Sequence, residues 1–138
     1  MFIKCSRSAA KLVFSDREGL LKPDGSEYYC VTINAENLEA SLNVYAFDPK
    51  DDGLVKFLAK IARLWRGWDG EEKWISLEGE FGLACNHDGL GHIEIEATLR
   101  KPGGWIVQNT FHLVAGELDS LASDVKQFFD LGTRPGIT

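Results

Sequence analysis

Leu54-Val55-Lys56-Phe57-Leu58-Ala59-Lys60-Ile61-Ala62-Arg63-Leu64-Trp65 decides the fold once it is set beside Leu118-Asp119-Ser120-Leu121-Ala122-Ser123-Asp124-Val125-Lys126-Gln127-Phe128-Phe129. The apolar members of the first stretch are Leu54, Phe57, Leu58, Ile61, Leu64 and Trp65. Those of the second are Leu118, Leu121, Ala122, Val125, Phe128 and Phe129, each 64 residues beyond its counterpart. Both sets recur at i, i+3, i+4, i+7, i+10 and i+11, one apolar face of a 3.6-residue period, and so predict two amphipathic helices. Each helix closes a run of strand-like segments, so the chain reads as two βββα halves on one plan.

Working outward, Phe2 to Cys5 and Lys11 to Ser15 read as short strands, and Asp16 to Ser26, with Gly19, Pro23 and Gly25, as a loop. Tyr28 to Asn34 and Leu38 to Phe47 follow as strands. Leu38, Ala40, Leu42, Val44 and Ala46 alternate with polar neighbours, the mark of a sheet with one buried face. Asp48-Pro49 breaks this run, and Asp51 or Asp52 is placed to cap the first helix, which Gly67 ends. In the second half Ile75, Leu77, Gly79, Phe81, Leu83 and Cys85 fall on one face of a single long strand. Ile93, Ile95, Ala97 and Leu99 share a face of the next, and Trp105, Val107, Phe111 and Leu113 a face of the last, with Asn109 the polar exception. Turn formers fill Asn86 to Gly91 and Lys101 to Gly104. Gly116, Glu117 and Asp119 start the final helix, and Gly132 and Pro135 lie beyond it. The expected fold is α+β and two-layered: an antiparallel sheet of six or seven strands with two helices on one face, forming a single domain over residues 1–138.

Composition narrows the function classes. A chain of 138 residues with 44% hydrophobic and 26% charged residues is long enough, and apolar enough, to bury one good core. The net charge of −6 disfavours nucleic acid and anionic membrane as partners, because phosphate binding needs a positive field. Three widely spaced cysteines, Cys5, Cys30 and Cys85, form no disulfide framework or metal-ligand spacing, which fits free thiols in a reducing cytosol. No apolar stretch of seven or more follows Lys4 and Arg7, so no signal peptide is expected, and no window is apolar enough for a membrane span. The outward positions Lys56, Lys60, Arg63 and Arg66 of the first helix read as a solvated face that complements the helix dipole.

No catalytic or ligand motif stands above background. The most distinctive surface is the outward face of the second half, carrying Glu78, Glu80, Glu94, Glu96, Thr98, Arg100, Gln108, Thr110 and His112. Keeping apolar faces together while pairing Cys85 with Ile93 places Glu78 opposite Arg100. Pairing Lys101 with Trp105 places Glu94 opposite His112, either a wet cross-strand ion pair or a carboxylate-oriented general base. His87, Asp88 and His92 match no zinc or calcium-loop spacing, so no metal or other cofactor is expected. Gly89-Leu90-Gly91 lacks the strand-then-helix setting of a phosphate loop. Trp65 belongs to the helix stripe and its core. Trp68 lies in a glycine-flanked loop, either folded onto the core edge or offered to a partner.

The run Trp65-Arg66-Gly67-Trp68-Asp69-Gly70, then Trp74 and Ser76-Leu77-Glu78-Gly79-Glu80, then His87-Asp88-Gly89-Leu90-Gly91-His92 resembles an uncharacterised family of small bacterial single-domain proteins, a domain of unknown function. Its pattern is W-x-G-W, L-E-G-E and D-G-x-G-H over most of the chain. The resemblance implies a bacterial cytosolic protein and brings no activity and no functional residues. The expectation is therefore a non-enzymatic binding protein of the cytosol, recognising a protein partner through Trp68, Glu78, Glu80, Glu94, Glu96, Arg100 and His112. An immunity-type neutraliser of a basic toxin is one form of it. The alternatives are a small hydrolase or isomerase using Glu94 and His112, and a small-molecule-binding module. Sequence does not fix the oligomeric state.

Overall fold

The computed structural model describes residues 1–18, 27–46 and 53–132, and eight strands and two helices lie within them. The strands are β1 (Phe2–Lys4), β2 (Lys11–Glu18), β3 (Glu27–Ala35), β4 (Leu38–Ala46), β5 (Glu71–Ile75), β6 (Phe81–His87), β7 (His92–Arg100) and β8 (Ile106–Val114). Helix α1 spans Leu54–Arg63. Helix α2 spans Leu118–Gly132 and is entered through a 3-10 turn at Ala115–Glu117. The helices start 64 residues apart, as the two stripes require.

The class is α+β, but the strands do not make one sheet of six or seven. They form two antiparallel meanders of four, β1-β2-β3-β4 and β5-β6-β7-β8, so each half is ββββα rather than βββα. The additional strand is β5, in the second half; it precedes the long strand expected over Ile75 to Cys85, of which only Phe81 to Cys85 stays in one strand, β6. Ser76 to Glu80 is a turn, with Gly79 at φ 82, a left-handed value a side chain rarely adopts. The Phe81 N–H donates to the Ser76 Oγ at 3.0 Å and closes the hairpin. Ile75 and Leu77 therefore leave the buried face and are exposed, while Phe81, Leu83 and Cys85 stay in it.

Strand β2 continues through Asp16 to Glu18, which the sequence assigned to a loop. The rest of that loop, and Phe47, Asp48, Pro49, Asp51, Asp52 and Pro135, lie outside the described residues. The N-cap position of α1 is Gly53, with no side-chain cap, and Gly132 is the last residue of α2 rather than a residue beyond it.

One apolar core unites the halves. Leu54, Phe57, Leu58 and Ile61 of α1 and Leu118, Leu121, Val125 and Phe129 of α2 are buried in it, and the helices pack on each other. Phe128 is partly buried against the same core. Helix α2 meets the first sheet through Phe129 on Tyr29 and Phe128 on Phe14, at ring separations of 5.0 and 6.0 Å. Phe14 of β2 meets Phe81 of β6 edge-on at 5.8 Å, joining the two sheets inside the core. Helix α1 ends at Arg63, so Trp65 falls past the helical phase. It is 50% exposed, its indole under the Arg66 guanidinium at 5.0 Å, and does not join the core.

Polar contacts fasten the sheets at their margins. The Ser6 N–H donates to the His112 carbonyl at 2.7 Å. The Tyr45 N–H of β4 donates to Glu80 Oε2 at 3.3 Å, and the Ser76 hydroxyl donates to Glu80 Oε1 at 2.5 Å.

Because Ile61 is fully buried, Ile61→Asp places an unpaired charge among apolar side chains, with an expected loss of about 3 kcal/mol or more. Urea denaturation of the two proteins measures it, and a loss below about 1 kcal/mol would refute this packing of α1.

Candidate functional site: the outer face of the second sheet

Register decides which residues share the uncovered side of the second sheet. Across β5, β6, β7 and β8 the outward rows are Glu71–Asn86–Glu94–His112, Lys73–Ala84–Glu96–Thr110 and Ile75–Gly82–Thr98–Gln108. Arg100 opposite Ile106 completes the face. The alternate positions, including Cys85, Ile95 and Phe111, point into the core.

The expected pairing of Glu94 with His112 is present. Their side chains face across β7 and β8, with His112 Nδ1 at 3.8 Å from Glu94 Oε1. The expected pairing of Glu78 with Arg100 is absent. Cys85 pairs with Ile95 rather than Ile93, and the Arg100 N–H donates to the Glu80 backbone carbonyl at 2.8 Å. The reason lies in the β6–β7 turn, which is two residues longer than that register allows, since His87 pairs with Ile93. Gly89 and Gly91 both take positive φ, and the Asp88 carboxylate accepts the N–H groups of Leu90 and His92 at 2.7 and 3.0 Å. Glu78 therefore sits exposed in the β5–β6 turn.

Glu80 also leaves the acidic face. It is 8% exposed, its carboxylate taken by Ser76 and Tyr45 as the clip between the sheets. Trp68 is half-buried: its Nε1–H donates to the Cys85 carbonyl at 3.1 Å and its ring meets His87 edge-on at 5.1 Å. Of the sequence-predicted residues, the structure gathers Glu94, Glu96, Arg100 and His112 on one face. Glu78 stands at its margin, and Glu80 and Trp68 are tied into the framework.

Three large exposed apolar side chains escape the sequence reading: Ile75 and Ile106 on the two edge strands of the face, and Leu77 in the β5–β6 turn. Ile75, Leu77 and Ile106 are 59%, 65% and 60% exposed. Between β5 and β7 the face sinks into a trough of about 360 Å³ over Gly82 and Ala84.

At the opposite end, all three histidines line a cavity of about 240 Å³ together with Ser6, Arg7 and Glu94. His87 is a structural clamp. Its Nδ1 accepts the Gly89 N–H at 2.8 Å, so Nε2 carries the proton and donates to the Trp65 carbonyl at 2.9 Å. His92 Nδ1 donates to Asp88 at 2.8 Å. The N–H of His92, then that of Leu90, and lastly the His92 ring hold the Asp88 carboxyl down at about 2. Among the described residues no three His, Cys, Asp or Glu side chains are placed to hold a metal ion.

Two cysteines differ sharply. Burial pushes the Cys85 thiol up to about 12, helped by the negative charges of Glu71 and Glu72. Burial also raises Cys5, but the His112 N–H at 3.4 Å, the Ser8 hydroxyl and the backbone of Arg7 and Ser8 together bring it below its ordinary value.

This arrangement defines a small α+β protein with one core and an open sheet surface. A family model described as a family of unknown function, DUF6228, matches residues 3–132, and the chain belongs to that family. No curated protein matches it. Among the described residues no helix is long and apolar enough to cross a membrane.

The lowered Asp88 carboxyl contributes stability that is present above its ordinary value of 3.8 and is lost as pH falls toward about 2. The urea midpoint of Asp88→Asn is therefore expected to lie below the parent's at pH 5, with the gap narrowing from about pH 4 downward and closing only as pH reaches about 2. A constant gap across that window would refute the assignment. For Cys85, the folded parent and Cys85→Ser are expected to show the same number of Ellman-reactive thiols at pH 8.5, the difference of one appearing only in denaturant.

Proposed function

We propose that this protein is a non-enzymatic binding protein that docks a basic protein partner on the outer face of the second sheet. The observation that carries the reading is the exposure of Ile75 and Ile106 on a face that also holds Glu94 and Glu96, with Leu77 exposed in the adjoining β5–β6 turn. Exposed apolar side chains rimmed by charge are the composition of a binding hot spot. The chain's charge of −6 favours a partner of opposite sign, speeding encounter and rejecting acidic competitors. Trp68 supports the face from behind through its bond to Cys85, and Glu80 holds the two sheets in place. A bacterial, cytosolic neutraliser of a basic toxin is one concrete form of such a protein.

Hydrolase or isomerase chemistry at His112 is the second reading, favoured by the cavity that Glu94 and His112 share with Arg7. Turnover of a panel of nitrophenyl esters and phosphates, lost in His112→Ala, would establish it in place of the first.

The test of the docking face combines identification with direct binding. Proteins recovered on the tagged chain are identified, and calorimetry is run with the purified partner. Ile106→Asp and Leu77→Asp are each expected to weaken binding about tenfold or more, the scale of a hot-spot loss, with the melting temperature unchanged. Raising salt should weaken the parent complex as well. An acidic partner, or one indifferent to both substitutions, overturns the reading.

A further inference from the structure

A glycine within a strand needs a reason, and Gly82, the second residue of β6, has none inside this chain. Its φ is not positive, so the backbone does not demand glycine. A Cβ added there would meet the Trp74 carbonyl oxygen at 3.5 Å and Ile75 Cγ1 at 3.9 Å, both ordinary contacts. Packing does not demand glycine either. Interior strand glycines often mark a place where another molecule approaches the backbone closely. The next outward position on β6 is also small, Ala84, and the two form the floor of the trough.

The walls have a distinct charge pattern. Ile75 and Lys73 stand on one side, Thr98 and Glu96 on the other. Lys73 is neutralised by Glu71 at 3.1 Å, and Glu72 by Lys60 at 2.9 Å. Among the described residues the Glu96 carboxylate has no ion pair or hydrogen bond. Arg100 lies four residues along β7 on the same face, about 13 Å away at the rise of an extended strand. An unpaired anion at one end and a cation at the other suit a single basic side chain and reject a run of them.

We propose that the trough over Gly82 and Ala84 seats one arginine or lysine side chain of the protein partner, with its aliphatic stem on the floor and its charged head at Glu96. Long basic side chains bury their stems in this manner while the head stays at a polar rim. The inference rests on the docking face argued above and adds the anchor that enters it.

The probe is the capped peptide acetyl-Leu-Arg-Leu-amide, titrated into the 15N-labelled full chain and followed by NMR, with acetyl-Leu-Gln-Leu-amide as control. Saturable shifts at Gly82, Ala84 and Glu96 are expected with the arginine peptide. Binding should be about twofold to fivefold weaker for the glutamine peptide and for Glu96→Gln, the range of a solvated ion pair. Gly82→Val, which fills the floor, should remove it. Equal binding of the two peptides, undiminished binding to Glu96→Gln, or shifts centred on the histidine cavity would overturn the proposal. A purified partner that is lost by Ile106→Asp but holds Gly82→Val as tightly as the parent leaves the docking face standing and overturns the anchor alone.

Discussion

A carboxylate buried where the two sheets meet governs how the halves fit together. Burying a charge is costly unless hydrogen bonds replace its water, and Glu80 receives the Ser76 hydroxyl and the Tyr45 N–H. Its neighbour Phe81 points into the core and meets Phe14 of the other sheet. Two adjacent residues thus supply a polar clip at the margin and an aromatic contact inside. The bond from Ser6 to the His112 carbonyl adds a second fastening. With the halves fixed this way, both sheets and both helices share one core, and the outer face of the second sheet is left open.

The helices were the most legible part of the chain, because a 3.6-residue stripe identifies both the element and the face it buries. Leu54, Phe57, Leu58, Ile61, Leu118, Leu121 and Val125 are all buried as the stripe requires. The strand count was harder to read. Ile75, Leu77, Phe81, Leu83 and Cys85 keep a period of two across a turn, so hydrophobicity alone does not interrupt the strand. The signal that could have done so is Gly79 within Leu77-Glu78-Gly79-Glu80, a turn composition inside an apparent strand. Strand β5 was hidden because Glu71, Glu72 and Lys73 resemble loop polarity, although Lys73 is the outward residue of an alternating pair with Trp74.

Register separates what the site revealed from what it hid. The short Lys101–Trp105 turn fixed β7 against β8, and Glu94 faces His112 accordingly. The β6–β7 turn is two residues longer than a Cys85–Ile93 pairing allows, which moves the partner of Cys85 by two positions and takes Glu78 out of register with Arg100. No local pattern announced that Glu80 would turn toward β4, since its partner Tyr45 lies 35 residues away in sequence. The exposed trio of Ile75, Leu77 and Ile106 escaped notice for a related reason. Two of its members were counted as core in a strand that does not exist.

The meander connectivity has a consequence for how the chain reaches this structure. Every strand pair joins neighbours in sequence, so each sheet closes only short loops as it zips, and short closures carry little entropic cost. The contacts that span the halves, Phe14 with Phe81 and α1 with α2, instead close long stretches of chain. Sequence separation is thus low within each sheet and high across the seam, so the entropic cost of closing the chain is concentrated where the halves meet.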